Sequence, residues 1–182
     1  MTRGYVATTI DAIATRATVS PETVYATFKN KRSILSELID VATAGDDAPV
    51  PILEREWVRE MLEEPDLTRR VRILARNGGV ILARTAPVYE VLRAAAASDP
   101  RIASLWEGYK AQRFAGQREL VRVLTAGGAL RAGINTRTAA DIVFAVGSPE
   151  TYRLLVVDRG WSATGFERWY ADTLGRLILP PS

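Results

Sequence analysis

This chain contains neither histidine nor cysteine. Imidazole and thiolate catalysis are therefore closed to it, as are disulfides and the usual structural zinc sites. Its sequence carries no glycine-rich phosphate loop and no carboxylate cluster at metal-ligand spacing, so no enzyme activity, metal or cofactor is expected. What remains is the chemistry of cations. Residues 1–35 hold Arg3, Arg16, Lys29, Lys31 and Arg32 against Asp11 and Glu22, an excess of three positive charges. The whole chain has a net charge of +3, so everything after Leu35 sums to zero. A positive excess confined to one short stretch suits contact with phosphate, and double-stranded DNA is the partner it points to.

The elements that must position those cations are short. Thr8, with Asp11 three residues on, forms a capping pattern, and Ile10, Ile13, Ala14 and Ala17 then repeat as one apolar helix face. Thr18-Val19 interrupts the pattern, and Ser20-Pro21-Glu22 restarts it as N-cap, first-turn proline and acidic residue at the positive helix end. In this second helix only Val24 and Phe28 share an apolar side. Pro21, Glu22, Thr23, Tyr25, Ala26 and Thr27 are left as an outward set. Two short helices with a small, hydroxyl-rich outer face form a helix-turn-helix suited to a major groove. The alternative is an ordinary helical hairpin.

The run Gly4-Tyr5-x-Ala7-Thr8-Thr9-Ile10-x-x-Ile13-Ala14 is followed by Val19-Ser20-x-x-Thr23-Val24-Tyr25-x-x-Phe28-x-x-Lys31-x-x-Ile34-Leu35. Together they closely resemble the DNA-binding region of the tetracycline-repressor (TetR) family. The resemblance implies an all-α homodimeric transcription factor, usually a repressor, whose larger C-terminal domain binds a small effector. It places Thr9 near the DNA backbone at the entry of the first motif helix. It sets Thr23 and Tyr25 on phosphate or base edges, and Lys31 on a phosphate. Two departures stand out. The family has a full helix before the Gly-Tyr pair, where only Met1, Thr2 and Arg3 stand here, so Ile10, Ile13, Val24 and Phe28 are expected to be under-covered. The turn has Thr18 where the family usually has glycine, which implies either strain or a different turn. Thr27 replaces a frequent histidine, which should alter base preference.

Asn30 is expected to cap a third helix to about Ala44, with Ile34, Leu35, Leu38, Ile39 and Ala42 inward. The loop at residues 45–51 marks a boundary between a DNA-binding domain, 1–47, and an effector-binding and dimerisation domain, 48–182. In the second domain the pattern predicts helices over 52–64, with Leu53, Trp57 and Met61 in register, and over 67–85. Pro87 then begins a shorter helix to about Ala97, and a long one runs from Pro100 to about Ala126. The last two are read from Thr136 or Thr138 to about 159, kinked at Pro149, and over 163–179. Gly78 interrupts an apolar stripe, either for close helix approach or, with Asn77 beside it, to make room for a ligand. Arg113 falls at the centre of another stripe, with Gln117 alongside. An internal ion pair or a stem reaching to the surface would explain it. So would an effector pocket lined by Trp106, Tyr109, Arg113 and Gln117, with Trp57, Asn77 and Gly78 as further candidates. The effector itself is not identifiable.

The last two helices are apolar on more than one side. Val143, Phe144, Gly147, Leu155, Phe166, Trp169, Tyr170 and Leu174 are therefore candidates for a homodimer interface, with plain monomer core as the alternative. The run 141–179 also resembles a common C-terminal subgroup of the same family. No apolar stretch approaches the roughly 18 residues of a membrane helix, and no signal peptide is apparent, so a cytoplasmic location without membrane contact is expected. The functional expectation is a ligand-responsive repressor on a near-palindromic operator. A dimeric sensor or interaction protein that has lost DNA binding is the alternative.

Overall fold

The computed structural model describes residues 4–46, 50–128 and 130–181; among them the chain is all-α, with no strand. The N-terminal unit comprises α1 (Gly4–Ala7), α2 (Ile10–Ala17), α3 (Pro21–Phe28) and α4 (Lys31–Ala44). Thr9 rather than Thr8 caps α2, its side chain accepting from the Ala12 N–H at 3.1 Å. Thr8 turns its hydroxyl back onto the Gly4 carbonyl. Two adjacent threonines look alike in sequence, but only Thr9 has the extended backbone that an N-cap needs. Ser20 and Asn30 cap α3 and α4 as expected.

Ile10, Ala14 and Val24 are buried in a small core, with Ile13, Phe28 and Ile34 packed around them. The expected lack of cover at Ile10 and Val24 is therefore not found, because α4 brings Ile34 against the pair. Ala17 and Leu38 are exposed, against expectation. Ala17 lies in the last turn of α2, and the buried line of α4 runs through Leu35 and Ile39, leaving Leu38 beside it.

The second unit starts with a 3-10 turn, Ile52–Glu54, and α5 (Glu56–Glu63). It continues with α6 (Leu67–Ala96), α7 (Pro100–Leu124), α8 (Thr136–Val146), α9 (Pro149–Tyr152), a π-helical stretch at Arg153–Asp158 and α10 (Ala163–Ile178). Three predicted elements change. Extended backbone at Arg55 splits the 52–64 helix, so Val58 and Met61 are buried while Leu53 is exposed and Trp57 half-buried. Pro87 does not begin a helix but lies inside the 30-residue α6. Thr85, Ala86, Val88 and Tyr89 around it are buried, while Pro87 and Ala83, four residues before it, face solvent. Packing holds the helix together, and the carbonyl that proline leaves without a donor is on the wet side. At Pro149 there is a break, not a kink: Gly147 ends α8, and Ser148 caps α9 through the Thr151 N–H.

The larger core gathers residues such as Met61, Val71, Val121, Leu124, Phe166 and Leu174. A second core joins Leu35 and Ile39 of α4 to Val88, Tyr89 and Leu92 of α6 and to Ile102 and Tyr109 of α7. The N-terminal unit thus rests on α6 and α7 through α4. The expected boundary at 47/48 lies outside the described residues. Arg70, 7% exposed, donates to carbonyls of Leu62 and Glu64 at the end of α5 and to those of Val123, Leu124 and Ala126 at the end of α7. No helix among the described residues is long and apolar enough to cross a membrane.

Both turns of the N-terminal unit contain a non-glycine residue at positive φ, Thr18 at 59° and Lys29 at 62°. At Thr18 the Val19 N–H closes onto the Ala14 carbonyl, the ring that ends helices in a left-handed residue. Thr18 therefore takes the strained option, at a cost on the order of 1–2 kcal/mol. Thr18→Gly removes that strain but adds backbone entropy to the unfolded chain. A net stabilisation of about 0.5–1 kcal/mol is expected in urea unfolding, and a loss of stability would mean that the turn is relaxed as built.

Candidate nucleic-acid interface

The caps of α3 fix which way its side chains point. Val24 is buried and Phe28 half-buried against α2 and α4, so Glu22, Thr23, Tyr25, Ala26 and Thr27 are exposed, with Pro21 partly covered at the first turn. Tyr25 is 52% exposed, high for an aromatic side chain. Thr27 donates to the Thr23 carbonyl, and the Thr23 hydroxyl shares a hydrogen bond with Ser20. Hydrogen bonds from its own backbone and Ser20 hold the Glu22 carboxyl below its ordinary range, keeping it ionised at the helix N-terminus. Arg16, Lys29 and Arg32 are exposed around this face, and none forms an ion pair among the described residues. The surface offers hydroxyls and an aromatic ring, on a unit whose exposed Arg16, Lys29 and Arg32 carry positive charge.

Lys31 has a different environment. Its Nζ donates to the carbonyls of Tyr5 at 2.9 Å and Thr8 at 2.7 Å, with Val6 at 3.5 Å, and lies over the Tyr5 ring. One cation thus collects the free carbonyls at the end of α1 and ties that turn to the start of α4. Thr9, which follows, is held at its edge. Tyr5, Thr9, Tyr25, Lys31 and Arg32 line a groove of about 900 Å³ that reaches Arg101 at the start of α7.

The seven candidate effector residues do not converge on one cavity. Trp57 is half-buried against the larger core. Asn77 donates to the Ile73 carbonyl of its own helix. Trp106 stands edge-on to Tyr89 at 5.4 Å. The Tyr109 hydroxyl donates to the Ser36 carbonyl at 3.0 Å and to Asp40 at 3.1 Å, pinning α7 to α4. Burial pushes this phenol up to about 12, so it stays protonated. Arg84 of α6 holds the other end of α4, through the carbonyls of Ala42 and Thr43. Nothing in helical periodicity marked Arg84, Arg70 or the inward turn of Lys31, because their partners are carbonyls of distant residues.

Gly78 and Arg113 do meet, through residues from the candidate dimer set. The Tyr170 ring fills the space a Cβ would need at Gly78, 3.1 Å from its Cε1, and its hydroxyl fills the corresponding space at Gly147. Close helix approach is therefore the reason for Gly78. Arg113 is half-buried, donates from Nη1 to the Phe144 and Gly147 carbonyls at 3.1 and 3.3 Å, and stacks on the Phe144 ring. Neither the ion pair nor the surface-reaching stem describes it.

Val143, Gly147, Phe166, Tyr170 and Leu174 are sealed within the single chain and have no surface for a partner. An apolar stripe identifies a packed face but not which chain packs on it. Phe144, Leu155 and Trp169 remain half-buried. Gly147→Ala would drive a methyl into a Tyr170 ring that is itself 2% exposed. A destabilisation of about 2–3 kcal/mol is expected in denaturant unfolding, and an unchanged midpoint would contradict the wedge.

Residues 1–38 match the family model described as bacterial regulatory proteins, tetR family. No curated protein matches the chain in sequence. Among solved structures it is similar to PfmR of Thermus thermophilus, a TetR family transcriptional regulator, at 19% identity, covering 96% of this chain and 91% of that one, with a TM-score of 0.66. A regulator from Saccharomonospora viridis, solved in complex with choline, is 18% identical over 97% of this chain and 90% of its own, with a TM-score of 0.66. A TetR-family regulator from Mesorhizobium loti is 18% identical over 97% and 89%, with a TM-score of 0.64. At those identities the neighbours speak for the fold, and the N-terminal match speaks for residues 1–38 alone. Residues 1–38 thus match the tetR family of bacterial regulatory proteins, and the chain as a whole has the fold of the TetR-family transcriptional regulators it resembles.

Proposed function

We propose that the protein is a ligand-responsive repressor that binds a near-palindromic operator as a homodimer and leaves it when a small molecule binds. The observation that carries this reading is α3, a two-turn helix whose outward face is Glu22, Thr23, Tyr25, Ala26 and Thr27, in a unit whose exposed Arg16, Lys29 and Arg32 form no ion pair among the described residues. Thr23 and Tyr25 contact base edges or phosphate, and Thr9 contacts the backbone at the entry of α2. Pro21, Glu22, Ala26 and Thr27 complete the face that meets the groove. Lys31 reaches phosphate only from the margin of its clasp on α1. Residues up to about 47 act as the reader, and the remainder binds effector and partner.

A single short helix covers few base pairs, so a twofold partner is needed for a specific site. Leu154, Val157 and Trp161 are 56%, 66% and 38% exposed on the stretch between α9 and α10. Trp161 stands edge-on to the half-buried Trp169 at 6.1 Å. With Phe144 and Leu155 they form the face assigned to the second copy. That one structural neighbour was solved in complex with choline supports a small-molecule effector, and in this reading the larger unit is what binds it.

The test is fluorescence anisotropy on the DNA flanking the gene, repeated across salt concentrations. A specific complex should weaken steeply with salt, and Tyr25→Ala should cost roughly tenfold in affinity. Indifference to every duplex at low salt would end the proposal. Replacing Leu154 and Val157 together by Glu should give monomers in sedimentation and lower operator affinity by roughly a hundredfold. A doubly substituted protein that stays dimeric would move the interface elsewhere.

A further inference from the structure

The surroundings of Arg113 are chemically incomplete. Its Nη1 is held by two carbonyls at the end of α8, but its Nε is buried with no hydrogen-bond partner among the described residues. Gln117, one helical turn further along α7, has its Oε1 in the same condition. No carboxylate forms an ion pair with Arg113 among the described residues. Burial pulls its guanidinium below the ordinary value, opposed by the field of Tyr89, Glu150 and Tyr170. A half-buried cation without a counter-ion, beside an unfilled donor and an unfilled acceptor, is costly to maintain. Water at either atom would fill a hydrogen bond, yet it would leave the charge uncompensated. Phe114 and Phe144, edge to face at 5.4 Å, form an apolar wall beside the cation.

We propose that this edge of α7 receives the carboxylate of a small aromatic or alkyl acid that also carries a hydrogen-bond donor. The carboxylate accepts from Arg113 Nε and neutralises the guanidinium, whose planar fork matches it. The ligand's hydroxyl or amide donates to Gln117 Oε1, and its apolar body lies along Phe114 and Phe144. A cation is repelled from the site, and a neutral alcohol leaves the charge as it was. Tyr109, one turn before Arg113 on α7, is hydrogen-bonded to α4, so an occupant here acts on the same helix that seats the DNA reader. The proposal rests on the reading of the larger unit as effector-binding and gives that effector its chemical class.

The experiment follows thermal unfolding of the full chain, without DNA, in mandelate, phenylacetate, 2-phenylethanol and tetramethylammonium. Mandelate should raise the midpoint by about 3 °C at roughly ten times its Kd. Phenylacetate, lacking the hydroxyl, should bind about tenfold more weakly. The alcohol and the ammonium ion should do nothing. Gln117→Leu should remove the preference for mandelate while leaving phenylacetate binding intact, and it keeps the question answerable if Arg113→Lys proves unstable. The proposal fails if neither acid raises the midpoint, if the alcohol or the ammonium ion matches them, or if Gln117→Leu keeps the preference. Parallel operator titrations separate this from the wider reading. Acids that bind without weakening DNA affinity uphold the site and refute its effector role. A neutral compound that releases DNA while the acids fail to bind refutes the site alone.

Discussion

Every helix end leaves carbonyls that have lost their partners, and at several ends this protein meets that constraint with cations from elsewhere in the chain. Lys31 serves the end of α1, Arg84 that of α4, Arg70 those of α5 and α7 together, and Arg113 that of α8. Arg131 does the same for α10 through the Arg176 carbonyl. Each such contact satisfies a helix terminus and also sets where that terminus sits on its neighbour. Apolar packing supplies most of the cohesion, but it is tolerant of sliding. A guanidinium directed at particular carbonyls is not, and the register of the bundle follows from these contacts.

The arrangement bears on communication between the two ends of the molecule. Helix α4 is the common part: its start holds α1 through Lys31, its middle receives the Tyr109 hydroxyl, and its end is gripped by Arg84. Between these polar points Leu35 and Ile39 enter the core formed with α6 and α7. A displacement of α7 relative to α6 therefore cannot leave α4 unchanged. Arg113 lies on the same helix as Tyr109, one turn away, and its hydrogen bonds run to the break between α8 and α9. Linkage between a ligand site and the DNA reader requires a difference in free energy between two positions of such an element, of order 1–3 kcal/mol.

Strain is placed where recognition is expected. Thr18, which ends α2, and Lys29, which ends α3, both hold positive φ without the help of glycine. The small core formed by Ile10, Ala14 and Val24 contributes little burial, so the reader depends on its caps and on α4 for rigidity. Its local stability should be lower than that of the bundle, as for other elements that must adapt to a ligand.

Local chemistry was readable from the residues alone. Ser20-Pro21, Asn30 and Pro100 announced helix starts, and the outward face of α3 followed from its two apolar positions, because capping and periodicity depend on neighbours within a turn or two. Competition between local rules was not readable. Pro87 lies within a helix because buried residues on both sides outweigh one lost hydrogen bond, whereas Pro149, preceded by a capping serine, begins a new one. Likewise, the pattern identified Phe166, Tyr170 and Leu174 as facing something apolar, and only the fold made that surface their own chain. The destinations of Lys31, Arg84 and Arg113 are carbonyl groups, which every residue carries. A sequence can say that a cation is present, but only three-dimensional packing selects which helix end it meets.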